Sequence, residues 1–133
     1  MHGLHLTADL TRCQCDIAWL TDADRLLAEC VRQVQAAGLQ AVNQLAHSFP
    51  ATPQGPGGVT ATILLAESHL CVHTWPEQAG VTVDVYVCNF GADHSGKAQR
   101  LMNALMGLFA PEQVLQQCLL RGEVDALATE NAI

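Results

Sequence analysis

The residues best suited to chemistry gather in one stretch, Glu67-Ser68-His69-Leu70-Cys71-Val72-His73-Thr74-Trp75-Pro76-Glu77. A carboxylate, a hydroxyl and two imidazoles sit between apolar, β-prone runs at residues 62–66 and 70–74. Successive side chains on a strand face opposite sides, so His69, Cys71 and His73 share one face and Leu70 and Val72 the other. A sheet face loaded in this way calls for a catalytic or binding reading. His69 and His73 have the spacing of a helical metal pair. On a strand, four residues at 3.3 Å each set them about 13 Å apart, too far to share an ion. Cys13-Gln14-Cys15 is half of a zinc pattern with no second pair of suitable spacing, so no metal is expected.

Glu67-Ser68-His69 followed by His73-Thr74-Trp75-Pro76-Glu77 resembles the short bacterial and archaeal S-adenosylmethionine decarboxylase proenzymes. The similarity extends through Gly3-Leu4-His5-Leu6, His47-Ser48-Phe49, Gly58-Val59-Thr60 and Val83-Asp84-Val85-Tyr86-Val87-Cys88, and covers most of the chain up to about Arg121. Members of that family cleave themselves between the Glu and the Ser and turn the Ser into a pyruvoyl group. The resemblance therefore implies cleavage after Glu67, giving a β chain of residues 1–67 and an α chain of residues 68–133. The pyruvoyl derived from Ser68 would form a Schiff base with the substrate amine.

The same resemblance assigns roles residue by residue. His73 assists the elimination that follows ester formation, and Thr60 stands where relatives carry a serine that helps processing. Cys88 gives its proton to the substrate carbon after CO2 leaves. Glu77 binds substrate and Phe49 stacks on adenine; His69 takes no role from the resemblance, and its place next to Ser68 suits it only to shaping the cleavage turn. The chemistry is coherent: decarboxylating an α-amino acid leaves a carbanion that needs an electron sink. The sole lysine is Lys97 and no Gly-rich phosphate loop is present, so neither PLP nor a metal is expected beside the pyruvoyl. A thiol ordinarily titrates near pH 8.5 and so carries its proton at neutral pH. The product would be the aminopropyl donor for spermidine.

The sequence departs from the family where substrate is recognised: the Pro/Gly loop over residues 49–58 is longer, Gln78-Ala79-Gly80-Val81-Thr82 replaces an aromatic-rich run, and Asn89-Phe90-Gly91 replaces a glycine-first turn. Two alternatives follow. One is a pyruvoyl-dependent ornithine or arginine decarboxylase on the same fold, the other a non-catalytic, prozyme-like partner.

The elements that must position these groups are legible. The 133 residues suit one domain. A net charge of −7 argues against nucleic acid and anionic membrane but suits a small cationic substrate. With 14% charged residues, a homo-oligomer is expected, as a dimer of αβ units. The first twenty residues lack a signal-peptide pattern, no run matches a membrane span, and the six cysteines read as reduced thiols of a cytoplasmic protein.

Residues 3–10 read as a strand and 11–20 as a connecting loop or short turn. Thr21 or Asp22 caps a helix that Gly38 stops. Residues 39–46, 59–66, 70–74 and 81–88 read as strands, the last by strict alternation of Val81, Val83, Val85 and Val87 with Thr82, Asp84, Tyr86 and Cys88. Asp93 or Ser95 caps a second helix with Ala98, Leu101, Met102, Leu105 and Phe109 on one face, which Pro111 ends. Residues 112–121 read as a last strand and 122–133 as a frayed tail. The expected class is α+β: a two-layer sandwich in the order β-α-β-β-β-α-β, a mainly antiparallel sheet with two helices on one face.

Overall fold

The computed structural model describes residues 2–89 and 91–122. Phe90 and, apart from Gly122, the expected tail over 122–133 lie outside the described residues. In chain order the elements are β1 (Gly3–Cys13), α1 (Ala18–Thr21), α2 (Ala23–Ala36), β2 (Ala41–Ser48), β3 (Val59–Leu65), β4 (Ser68–Trp75), β5 (Gly80–Cys88), α3 (Ser95–Phe109) and β6 (Pro111–Arg121). The strands form one sheet in the order β2-β3-β4-β5-β1-β6, and every pairing is antiparallel.

The two-layer α+β expectation is met, with one correction to the order. The order β-α-β-β-β-α-β is a strand short, because β2, β3, β4 and β5 all lie between the long helices. Glu67 takes a left-handed φ of 55° and reverses the chain, so the flanking apolar runs become two arms of a hairpin with Leu65 opposite Ser68. β1 also runs on to Cys13, because β6 supplies a partner that far, pairing Cys13 with Pro111. A short helix, α1, fills part of the expected 11–20 connection.

Local chemistry sets the boundaries. Asp22 accepts the Arg25 N–H at 3.1 Å and caps α2, and Gly38 takes a left-handed φ of 87° just past its end. At α3 the N-cap position is His94, which makes no side-chain cap. Asp93 instead accepts the Ser95 N–H at 2.9 Å, and that bond holds its carboxyl below the usual carboxylate range.

The core lies between the sheet and the helices. Val81, Val83, Val85 and Val87 are buried against Leu26, Cys30 and Val34 of α2 and Ala98, Leu101, Met102, Leu105 and Phe109 of α3. Buried Thr74 ties the layers together: its Oγ1 accepts the Val59 N–H at 2.8 Å and donates to the Leu20 carbonyl at 2.7 Å. Among the described residues no helix covers the opposite sheet face. On it Leu45, Leu64, Leu115 and Leu119 are exposed beside the half-buried polar row of β4 and β5. Among the described residues no helix is long and apolar enough to cross a membrane.

Candidate active site

Ser68 opens β4 directly after the left-handed Glu67. A non-glycine residue in that conformation carries about 1–2 kcal/mol of steric cost, here at the peptide joining Glu67 to Ser68. β5 runs alongside, and the Cys88 N–H donates to Ser68 Oγ at 3.0 Å. Glu67, Ser68, Cys88 and His94 line a cavity of about 440 Å³ whose far wall is the chain after α2, Gly38 to Gln40.

Thr60, His73, Phe49 and Glu77 meet elsewhere. Thr60 faces His73 across the β3–β4 pair, with Oγ1 3.0 Å from His73 Nδ1. Both line a cavity of about 520 Å³ with Phe49, Trp75 and Glu77. The His47 ring meets Phe49 edge-on at 4.8 Å. The Pro/Gly loop forms one wall, closed by the Phe49 N–H donating to the Gly58 carbonyl at 3.0 Å. A Cβ on Gly57 would run into the Phe49 carbonyl and one on Gly58 into the Thr74 carbonyl, so this close approach needs glycine.

The sequence-predicted residues thus form two groups at opposite ends of β4. Ser68 and His73 are five residues apart on one strand, about 16 Å at 3.3 Å per residue. Ser68 keeps company with Glu67 and Cys88. Thr60, His73, Phe49 and Glu77 lie together without it.

Between the groups is a constellation that sequence reading did not assemble. Asp84 Oδ2 lies 2.9 Å from Nε2 of both His5 and His69, and Arg121 Nη1 lies 3.0 Å from His5 Nδ1. An arginine only donates, so His5 Nδ1 accepts, and its ring proton sits on Nε2, directed at Asp84. The three ligand-type atoms fall within 4.8 Å of one another. However, a metal would need the bare Nε2 lone pair that this tautomer lacks, so the trio is a hydrogen-bond relay. It joins strands 79 residues apart in sequence, and only the alternation that put Asp84 on the polar face hinted at it. Cys71, also on this face, contacts Thr62 Oγ1 at 3.6 Å, and burial raises its thiol pKa. His94 is the second residue sequence reading missed, since nothing in its local pattern marks it.

A family model described as S-adenosylmethionine decarboxylase matches residues 4–122. The S-adenosylmethionine decarboxylase proenzyme of Aquifex aeolicus is 34% identical over 124 residues, covering 92% of this chain and 83% of that protein. The proenzyme of Brevibacillus brevis is 32% identical over 120 residues, covering 90% and 82%. The crystal structure of the Aquifex aeolicus adenosylmethionine decarboxylase superposes with a TM-score of 0.75 at 33% identity, covering 90% of each chain. On its sequence and its fold, the chain belongs to the S-adenosylmethionine decarboxylase family.

Proposed function

We propose that this protein cuts itself between Glu67 and Ser68, converts Ser68 to a pyruvoyl group and decarboxylates S-adenosylmethionine in the cytoplasm, supplying the aminopropyl donor for spermidine. The observation that carries the reading is the turn itself, a left-handed Glu67 followed by a Ser68 hydroxyl held beside Cys88. Ser68 Oγ adds to the Glu67 carbonyl carbon, the C–N bond breaks, and the acyl group passes from nitrogen to oxygen. Loss of the Ser68 Hα proton and of the Glu67 carboxylate from Cβ leaves a dehydroalanine. Water then replaces its nitrogen, releasing ammonia and the new keto group. Strain at Glu67 favours the first step by raising the energy of the starting peptide.

The site fits a pyruvoyl: position 68 opens onto a cavity shared with Cys88, and a group built from the chain needs no phosphate cradle. When formed, the pyruvoyl supplies the electron sink for CO2 loss. Cys88 holds the proton that the substrate carbon takes up, with its backbone N–H already fixed on position 68. Phe49 and Glu77 offer a flat apolar surface and an acceptor carboxylate in the second cavity, suited to an adenine ring and a ribose.

The two groups serve one reaction if two copies pair through their open sheet faces, one reversed against the other. Ser68 and Cys88 of one copy then face His73, Thr60, Phe49 and Glu77 of its partner, and a dimer of αβ units holds two such sites. What supports this pairing is the spacing on β4 and the exposed leucines of the uncovered face, since stacked sheets bury such residues about 10 Å apart. All six cysteines are free, in keeping with a reducing compartment.

The test is an intact mass followed by CO2 release. Wild-type protein should appear as two fragments and Ser68→Ala as one chain of 14.2 kDa. The processed protein should release CO2 from S-adenosylmethionine and not from ornithine or arginine. A wild-type chain that stays whole, or release from ornithine or arginine instead, refutes the proposal.

A further inference from the structure

A substrate amine must shed a proton before it can add to a carbonyl, because an α-amino group near neutral pH is largely an ammonium ion with no free electron pair. Cys88 serves a later step, in which a proton is given, and leaves this earlier removal without a base. Position 68 lines two cavities. One holds Cys88. The other, of about 720 Å³ on the open sheet face, is lined by Glu67, Ser68, His69, Tyr86 and Arg121. An arginine carries no acceptor. Glu67 ends its chain once the proposed cut is made and is no longer bonded to position 68, whereas His69 stays the covalent neighbour.

The His69 ring is held from several sides. Its Nε2 lies 2.9 Å from Asp84 Oδ2, the His5 ring meets it edge-on at 5.8 Å, and the Tyr86 ring lies at 5.7 Å. Tyr86 is itself fixed over Gly3, where a Cβ would meet its ring at 2.8 Å and its hydroxyl at 2.9 Å. Behind His5 stands Arg121 of β6, and across the β3–β4 pair His69 faces only the uncharged Leu64. A positive charge on the ring would thus meet the Asp84 carboxylate directly and Arg121 only beyond His5. An ionised carboxylate accepts and never donates. The His69 proton therefore sits on Nε2, and Nδ1 keeps a bare electron pair. Among the described residues Nδ1 has no hydrogen-bond partner, and the side chain is 34% exposed.

We propose that His69 Nδ1 takes the proton from the substrate's α-ammonium, and that Asp84 is the positioning residue that keeps this nitrogen bare; the inference rests on the pyruvoyl reading of Ser68 given above. The carbon the amine must reach is the Cα of residue 68, about 3.8 Å from the Cα of His69. Only Cβ and Cγ separate Nδ1 from that second Cα. An amine approaching to about 3–3.5 Å therefore comes within hydrogen-bond reach of the ring. The N–H bond breaks, its electron pair stays on the amine nitrogen, and the imidazolium faces Asp84 through Nε2–H, as in other carboxylate–imidazole pairs. Two of the three ammonium protons leave with the displaced oxygen as water. Nδ1 carries them one at a time, so the ring ends as it began and no redox step occurs.

Asp84→Asn tests the positioning while keeping the side-chain shape. Arg121 fixes His5 as a donor toward position 84, so the amide oxygen of the variant serves His5 and its N–H turns to His69 Nε2. The His69 proton must then move to Nδ1. Heteronuclear NMR of the imidazole nitrogens, at a pH where the ring is neutral, reads this on the full-length Ser68→Ala chain, which needs no pyruvoyl. Nδ1 should be bare there and should gain the proton when Asp84→Asn is added. In the processed protein, His69→Gln and Asp84→Asn should each slow CO2 release from S-adenosylmethionine about 10²- to 10⁴-fold. Both should leave unchanged the addition of methoxyamine to the α chain, read by intact mass, because that amine is too weakly basic to hold a proton at neutral pH. Equal loss toward both amines, no loss toward either, a proton on Nδ1 while Asp84 is present, or an unmoved proton in Asp84→Asn overturns the proposal. The NMR result decides if a variant stays uncut. An uncut wild-type chain refutes the Ser68 reading itself, whereas a cut chain that fails these tests refutes only the role of His69.

Discussion

Two inactive versions of this chain should rescue each other. Ser68→Ala removes the hydroxyl proposed to start cleavage, and His73→Ala removes an imidazole at the far end of the same strand. Within one copy the two positions lie about 16 Å apart, some five times the reach of a hydrogen bond, so His73 cannot serve its own Ser68. In the proposed dimer, a mixed pair would set the intact Ser68 of the His73→Ala chain against the intact His73 of the Ser68→Ala chain, and the other site would carry both losses. Random pairing makes half of the dimers mixed, each with one sound site, so co-expression should restore about a quarter of wild-type sites. The assay is cleavage of distinguishably tagged chains on a denaturing gel, followed by CO2 release from S-adenosylmethionine. Each variant alone should remain uncut, and on co-expression only the chain retaining Ser68 should split. Failure to split in chains shown to co-purify would refute the shared-site reasoning, as would normal cleavage of His73→Ala alone.

Other expectations follow from the same contacts. Cys88→Ala should process normally yet lose about 10²- to 10⁴-fold in CO2 release, the usual contribution of a positioned acid. Thr74→Val keeps the side-chain shape but strands the Val59 N–H and the Leu20 carbonyl. It should cost about 2–6 kcal/mol in urea unfolding, at about 1–3 kcal/mol for each of the two buried unpaired groups. Burial and, secondarily, the Glu29 charge push the Cys30 thiol from 9.0 up to about 12. The folded state then binds its proton more tightly than the unfolded one, so the stability linked to Cys30 is full below pH 9 and is lost progressively as pH rises toward 12. A urea midpoint series over that range checks the sign, and native Cys30 should resist alkylation at pH 8 while exposed Cys118 reacts.

What the sequence made legible was local. Alternation over Val81 to Val87 and the apolar face from Ala98 to Phe109 are short-range patterns that the core enforces directly, and both appear as read. The Asp22 cap and the Gly38 stop are equally local. All four strands between the long helices are legible as separate apolar runs, and only the summary order β-α-β-β-β-α-β is one short; what the sequence does not announce is the left-handed turn at Glu67, which is not a glycine. The His5–Asp84–His69 relay depends on β1 closing against β5 across the whole chain, a register set by sheet assembly. The division of the candidate site was nonetheless within reach, because the strand spacing that separates His69 from His73 also separates Ser68 from His73. His94 stayed hidden because its place comes from the cavity, which has no sequence period.

The order β2-β3-β4-β5-β1-β6 would give the proposed cut between Glu67 and Ser68 an unusual consequence. Residues 1–67 contain β1, β2 and β3, and residues 68–133 contain β4, β5 and β6, so the two pieces interleave across the seams β3/β4, β5/β1 and β1/β6. Neither fragment would hold more than a two-stranded pair of its own, and a nick at Glu67–Ser68 would leave the two locked by hydrogen-bonded ladders. Folding must therefore come first and scission second. Once denatured, the nicked pair can regain its shape only through a bimolecular encounter, at a rate that falls on dilution, whereas the uncut precursor refolds at a rate independent of concentration. Maturation by the proposed cut would thus work as a ratchet: it would record that the chain has folded once and withdraw the easy route by which it did so.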